Sequence, residues 1–233
     1  MSTTRREQLS ESLAMVRQRI RAAAVAAGRH PEDIELVVVT KFFPASDVDL
    51  LADLGVTAVG ENRDQEAASK CAELGHRELL SVHFIGQLQS NKAASVVRYA
   101  DVVQSVDRLK LVRGLDRACE AAGRRLDVLV QVGLDGGGGR GGVDPEQVHS
   151  LAEAIAGSPV LHLRGVMAVA PLESDPRTSF DRLRGIADKV RAEHPEATWM
   201  SAGMSGDLEA AVAAGATHLR VGSAILGSRP PHR

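Results

Sequence analysis

Eight short apolar runs, each of the first seven followed by a longer segment of helical period, predict one α/β domain: a (β/α)8 barrel of the TIM type with an additional N-terminal helix. A length of 233 residues supports one sizeable core and is short for two ordinary α/β domains, so residues 1–233 are read as a single barrel domain. A composition of 44% hydrophobic and 25% charged residues is that of a packed chain rather than a disordered one. The same alternation also fits an open doubly wound sheet, which stands as the alternative architecture.

The helix comes first, over residues 4–28, around an amphipathic run at 13–27. The polar start at 1–11 has neither the apolar core nor the cleavage signal of a secretory leader, so a cytoplasmic protein is expected. Strands follow at 34–40, 57–60, 81–86, 101–105, 127–134, 160–169, 198–202 and 218–221. Helices are expected between them, for example at 46–54 and 143–157. The run 136–142 is glycine-rich and broken only by Arg140. It lacks the Gly-Lys-Ser/Thr ending of a phosphate loop and reads as a mobile βα connection.

Charge and cysteines exclude several classes. With 28 Lys plus Arg against 30 Asp plus Glu, the net charge of -2 provides no basic field for nucleic acid or for a membrane surface. No charge-free apolar run is long enough to cross a bilayer. Cys71 and Cys119 each sit alone in a helix-like segment and read as free thiols. The eight histidines are scattered and form no His-Glu-x-x-His or comparable cluster, so no metal site is assigned.

In a β/α barrel the loops after the strands share one face, which turns strand ends into a shortlist of site residues. In order they are Lys41; Glu61 and Asn62; Gln87, Ser90 and Asn91; Ser105 and Asp107; Met167; Gly203, Met204 and Ser205; and Arg220, Gly222 and Ser223. Lys41 follows the run Leu36-Val37-Val38-Val39-Thr40. A lysine leaving a buried strand loses hydration, which disfavours the ammonium form and frees an amine to attack an aldehyde. The same pattern fits a lysine that caps the strand and reaches back to water. Ser205 is a candidate N-cap, and Gly203 and Gly206 permit close approach of an anion to the backbone. Gly222 and Ser223, after the last strand, occupy the place where such barrels often bind phosphate. Two such loops make a phosphate cup, and read singly each is an ordinary turn. Arg220 points inward or towards the site, either as a ligand group or as an ordinary ion-pair partner.

Lys41 in its strand, Gly60-Glu61-Asn62, the run from His83 to Lys92, Ser105-Val106-Asp107, Leu163-Arg164-Gly165-Val166-Met167 and the two cup loops resemble, in content and order, the YggS/PROSC-type pyridoxal phosphate (PLP) homeostasis proteins. That family is similar in fold to the N-terminal barrel domain of alanine racemase, a fold-type III PLP architecture. The resemblance covers nearly the whole chain after the first helix. It implies that the cofactor pyridoxal 5′-phosphate is held as a Schiff base on Lys41. It also implies that Ser205, Gly222 and Ser223 hold its phosphate with backbone help from Met204, and that Arg220 faces the pyridine nitrogen. Asn62 is implied beside the ring, with Met204 and Met167 in the wall. The chain departs from many relatives at Gln87, Ala202 and Gly133 and in its glycine-rich loop.

Arginine only donates, so Arg220 against the ring nitrogen requires that nitrogen to stay unprotonated, which makes the ring a weak electron sink. Racemisation also needs a second base, which a tyrosine of an additional domain supplies in the racemases that this chain resembles. Here the one tyrosine is Tyr99, expected near the end of an outer helix. The resemblance therefore implies a PLP binding protein, monomeric and without catalytic residues of its own, that buffers the cofactor and delivers it to apo PLP-dependent enzymes. An amino-acid racemase-like PLP enzyme and a barrel enzyme acting on a phosphorylated metabolite are the competing readings.

Overall fold

The computed structural model describes residues 3–135 and 141–228. Eight parallel strands close into a barrel in sequence order: β1 (Glu35–Val39), β2 (Ala58–Glu61), β3 (Ser81–Phe84), β4 (Val102–Val106), β5 (Leu126–Gln131), β6 (Leu161–Met167), β7 (Trp199–Ser201) and β8 (His218–Val221). The seam is made by β1 and β8, with Val37 opposite Arg220 and Val38 opposite Val221. Around the barrel run α2 (Ala45–Asp53), α3 (Asp64–Glu73), α4 (Ala93–Val96), α5 (Leu109–Ala122), α6 (Val148–Ala156), α7 (Pro176–Glu193) and α8 (Leu208–Ala213), while α9 (Ser223–Leu226) follows the last strand. The expected closed barrel is thus the observed one, and the open-sheet alternative is excluded.

The extra helix α1 (Arg5–Ala26) starts at a capping box, in which Thr4 and Glu7 satisfy each other's backbone N–H groups. It buries Leu9, Leu13, Val16, Ile20 and Ala24, a spacing that lines up one face. Packing is against α8 and α9, the two helices that follow β7 and β8. Two arginines fasten it there. Arg19 pairs with Glu209 at 2.9 Å and donates to the Ser205 carbonyl at 3.1 Å, and Arg5 pairs with Asp47 at 2.6 Å and donates to the Leu226 carbonyl at 3.2 Å.

The strands are apolar on both sides because helices cover the outside and side chains fill the inside. Phe84, Leu111, Leu115, Leu151, Ile155 and Phe180 are fully buried in the main core. Val102, Leu129 and Met167 form a second, small cluster that Trp199 and Val169 help to cover.

Several strands end sooner than the apolar runs suggest: β3 at Phe84, β5 at Gln131 and β6 at Met167. The last residues of each run leave the ladder to build the loops of the mouth. The helix expected over 143–157 begins later. Asp144 accepts the Glu146 N–H at 3.0 Å and starts a single 3-10 turn, Pro145–Gln147, while Val143 bridges to Val132. Of the glycine-rich run, residues 136–140 lie outside the described residues. Tyr99 lies in the turn after α4, buried, with its hydroxyl donating to Asp64 at 3.4 Å. Among the described residues no helix is long and apolar enough to cross a membrane.

Candidate functional site

At the end of β1 the chain makes a tight turn with Lys41 inside it, half-buried. The Phe43 N–H closes that turn on the Thr40 carbonyl at 3.1 Å. Phe42 takes a left-handed φ of 73°, a conformation that costs a bulky residue about 1–2 kcal/mol. Its surroundings enforce it. The Phe42 N–H donates to the Glu66 carboxylate, and the Arg63 guanidinium lies 5.2 Å from its ring. Beneath the turn Lys70 donates to the Thr40 carbonyl at 2.9 Å and to Glu66 at 3.3 Å, and Thr40 Oγ1 donates to Glu61 Oε1 at 2.6 Å. Burial raises the Glu61 carboxyl above the usual carboxylate range, against the pull of Lys70 and Thr40.

The other side of the mouth is built by the loops after β7 and β8. Gly203 has φ +91°, and a Cβ there would stand 2.5 Å from Ala211 Cβ and 2.9 Å from Leu219 Cδ2, so glycine alone lets the loop pass. Gly222 packs on the end of β1, where a Cβ would come within 3.1 Å of the Val39 carbonyl oxygen. These two approaches bring Ser205 Oγ and Ser223 Oγ to 3.5 Å from each other. Ser205 is not an N-cap: α8 starts at Leu208, after Asp207, whose carboxylate accepts the Met204 N–H at 2.5 Å. The Met204 amide, expected to serve an anion, is therefore engaged within its own loop. The N–H groups of Ser205, Gly206, Ser223 and Ala224 have no acceptor among the described residues.

Arg220 is buried at 4% exposure, and among the described residues its hydrogen bonds go to neutral oxygens, Ser201 Oγ at 2.6 Å and the Ala168 carbonyl at 2.8 Å. Burial lowers its guanidinium to about 10, still charged at neutral pH.

Of the strand-end shortlist, the seven residues expected to hold the cofactor, Lys41, Asn62, Met204, Ser205, Arg220, Gly222 and Ser223, line one cavity of about 450 Å³, whereas Glu61, Gln87, Ser90, Asn91, Ser105, Asp107, Met167 and Gly203 do not line it. That volume lies in the ordinary range for small-molecule sites. Phe42, Phe43, Ile85 and Val169 complete its apolar wall. These four come from loops that sequence order alone does not aim. Met167, expected in the wall, packs in the barrel core instead, and Gln87 lines a neighbouring cavity of about 420 Å³ that shares Asn62. Chemically the mouth offers a primary amine, a donor-only cation and paired hydroxyls beside open amides. That donor set suits a ligand with a carbonyl, an accepting ring nitrogen and an anionic group. Away from the mouth, His149, Glu153 and Glu193 approach one another on the exposed surface, with His149 and Glu193 paired at 2.7 Å.

Residues 12–230 match the family described as alanine racemase, N-terminal domain. The chain is 47% identical to a pyridoxal phosphate homeostasis protein of Mycobacterium tuberculosis, across 97% of this chain and 94% of that one. Among solved structures it is similar to an unknown protein from Bifidobacterium adolescentis, with TM-score 0.90 and 31% identity over 97% of each chain. It is also similar to PipY of Synechococcus elongatus, solved with PLP bound, with TM-score 0.82 and 33% identity over 94% of this chain and 100% of that one.

Proposed function

The chain belongs to the pyridoxal phosphate homeostasis proteins of the alanine racemase N-terminal domain family, and from that premise we propose that it takes up PLP reversibly at the Lys41 mouth and passes it to apo-enzymes. The observation that carries this is the convergence of Lys41, Arg220, Ser205 and Ser223 on one cavity of suitable size.

The donor set fits the cofactor group by group. When bound, PLP supplies an aldehyde that condenses reversibly with a primary amine. Lys41 Nζ is that amine. Ser205 Oγ, Ser223 Oγ and the open amides beside them would hold the phosphate, with Gly222 leaving room for it against β1. Arg220 would donate to the ring nitrogen, which would then stay unprotonated, with Asn62 beside the ring and Met204 at its outer edge.

A carrier rather than a racemase is supported by what the wall offers. Among the described residues that line the cavity there is no Tyr, His, Cys, Asp or Glu to serve as a second base. Tyr99 is elsewhere, and burial raises its hydroxyl well above the usual range. Arg220, in place of an acid, leaves the ring a poor acceptor of carbanion charge. We read the protein as a cytoplasmic monomer, in keeping with two free thiols that burial pushes up to about 11 and so keeps unreactive.

Borohydride reduction of the PLP-loaded protein, followed by peptide mass spectrometry, tests the site. The adduct is expected on Lys41 and is expected to be lost in Lys41→Ala. Amino-acid racemisation or transamination is expected to stay far below about one turnover per second. An adduct on another side chain overturns the site, and turnover at that rate abolished by Lys41→Ala overturns the carrier.

A further inference from the structure

Beneath Arg220 a file of buried polar side chains crosses the barrel. Arg220 Nη1 donates to Ser201 Oγ at 2.6 Å, Ser201 Oγ donates to Gln104 Oε1 at 2.7 Å, and Gln104 Nε2 lies 2.7 Å from His83 Nδ1. All four are at most 4% exposed. They come from β8, β7, β4 and β3, and a bond between the non-adjacent strands β4 and β7 runs through the barrel interior. Four polar residues where Val or Leu would pack without desolvation loss require a compensating role. We propose that Gln104 and His83, acting through Ser201, are positioning residues that fix the Arg220 guanidinium against the cofactor ring; this rests on the reading of Arg220 given above.

The chemistry of the file gives it one direction. Arginine can only donate, so Ser201 Oγ accepts from it and spends its single proton on Gln104 Oε1. The amide nitrogen of Gln104 then faces His83, whose Nδ1 must accept. His83 is therefore the neutral tautomer with its proton on Nε2. Burial agrees, pushing His83 down to about 4. Its far side is walled by aromatic rings: Trp199 stacks with centroids 6.4 Å apart, and His218 lies at 6.2 Å. A proton on Nδ1 would turn the Gln104 amide round and point a second donor at Ser201 Oγ. The serine proton would then have no acceptor, and the Arg220 contact would loosen. The second arm, from Nη2 to the Ala168 carbonyl, does not by itself fix the plane of the guanidinium.

Gln104→Leu and His83→Leu cut the file, whereas His83→Asn keeps an acceptor close to the Nδ1 position. In the full-length protein the two leucine variants are expected to bind PLP about tenfold more weakly, as for loss of one hydrogen bond in a charged network. They are also expected to shift the visible band of bound PLP, with the adduct still on Lys41. His83→Asn is expected to restore both the affinity and the band. In the cofactor-free protein, nitrogen-15 NMR is expected to show His83 Nδ1 unprotonated, a readout independent of PLP and of how the variants fold. A protonated Nδ1, wild-type affinity and band in a folded Gln104→Leu, or a His83→Asn as impaired as His83→Leu overturns the proposal. Failure of the wild-type protein to be labelled at Lys41 instead overturns the cofactor reading itself.

Discussion

Lys70 Nζ stands 2.7 Å from Glu61 Oε1, a buried ion pair directly under the turn that presents Lys41. Removing one partner of such a pair strands the other charge, which typically costs about 3–5 kcal/mol. Lys70→Met is therefore expected to lower the free energy of unfolding by that order in urea titrations and to weaken PLP capture at Lys41. The double variant Lys70→Met, Glu61→Leu is expected to recover most of the stability. A Lys70→Met protein as stable as wild type would show that the pair supports nothing.

On the proposed reading, the serine pair serves phosphate recognition and not ring recognition. Ser205→Ala and Ser223→Ala are each expected to weaken PLP about tenfold while leaving pyridoxal, which lacks the phosphate, unchanged. Fluorescence titrations with both ligands decide it. Equal losses for the two would place these hydroxyls on the ring.

Gly203 is a steric requirement rather than a flexible joint. Gly203→Ala is expected to cost about 2 kcal/mol or more, because the new methyl meets Ala211 and Leu219 while the backbone stays left-handed. Differential scanning calorimetry measures this directly, and an unchanged melting temperature would mean that the loop has another path.

Stability is expected to fall on acidification. Burial pushes His83 down to about 4 and His218 to about 3, so the unfolded chain binds these protons first. The stability conferred by neutral histidines is complete above about pH 6.5 and is lost as pH falls from there towards 4 and then 3, by roughly 3 kcal/mol for His83. Glu61, whose carboxyl is raised, opposes the trend slightly. Urea unfolding at pH 7 and pH 5 is expected to show the loss and a shallower slope in His218→Gln. A flat profile would mean that the two rings are not buried neutral.

The repeating apolar runs made the barrel legible because in a parallel sheet each strand is buried on both faces and ends where the mouth begins. The same logic placed Lys41 and the cup residues, since strand ends in a closed barrel must share one rim. What escaped depends on where side chains aim. Lys70 reads as an ordinary helix lysine until α3 packs under the turn. Met167 ends β6 in register with Gln131, yet its side chain packs on Val102 and Leu129 in the small inner cluster. Ser205 has the residue type of an N-cap, but Asp207 captures the loop first. His83, Gln104 and Ser201 did leave a trace, as polar residues inside apolar strand runs, a pattern that marks an inward-facing network.

The joint between the first and last strands has a temporal meaning. The amine hangs from β1, while the guanidinium and one serine of the cup belong to β8 and its loop, so a growing chain carries half a site until its final segment docks. On the proposed reading, cofactor capture therefore has to wait for ring closure between β1 and β8.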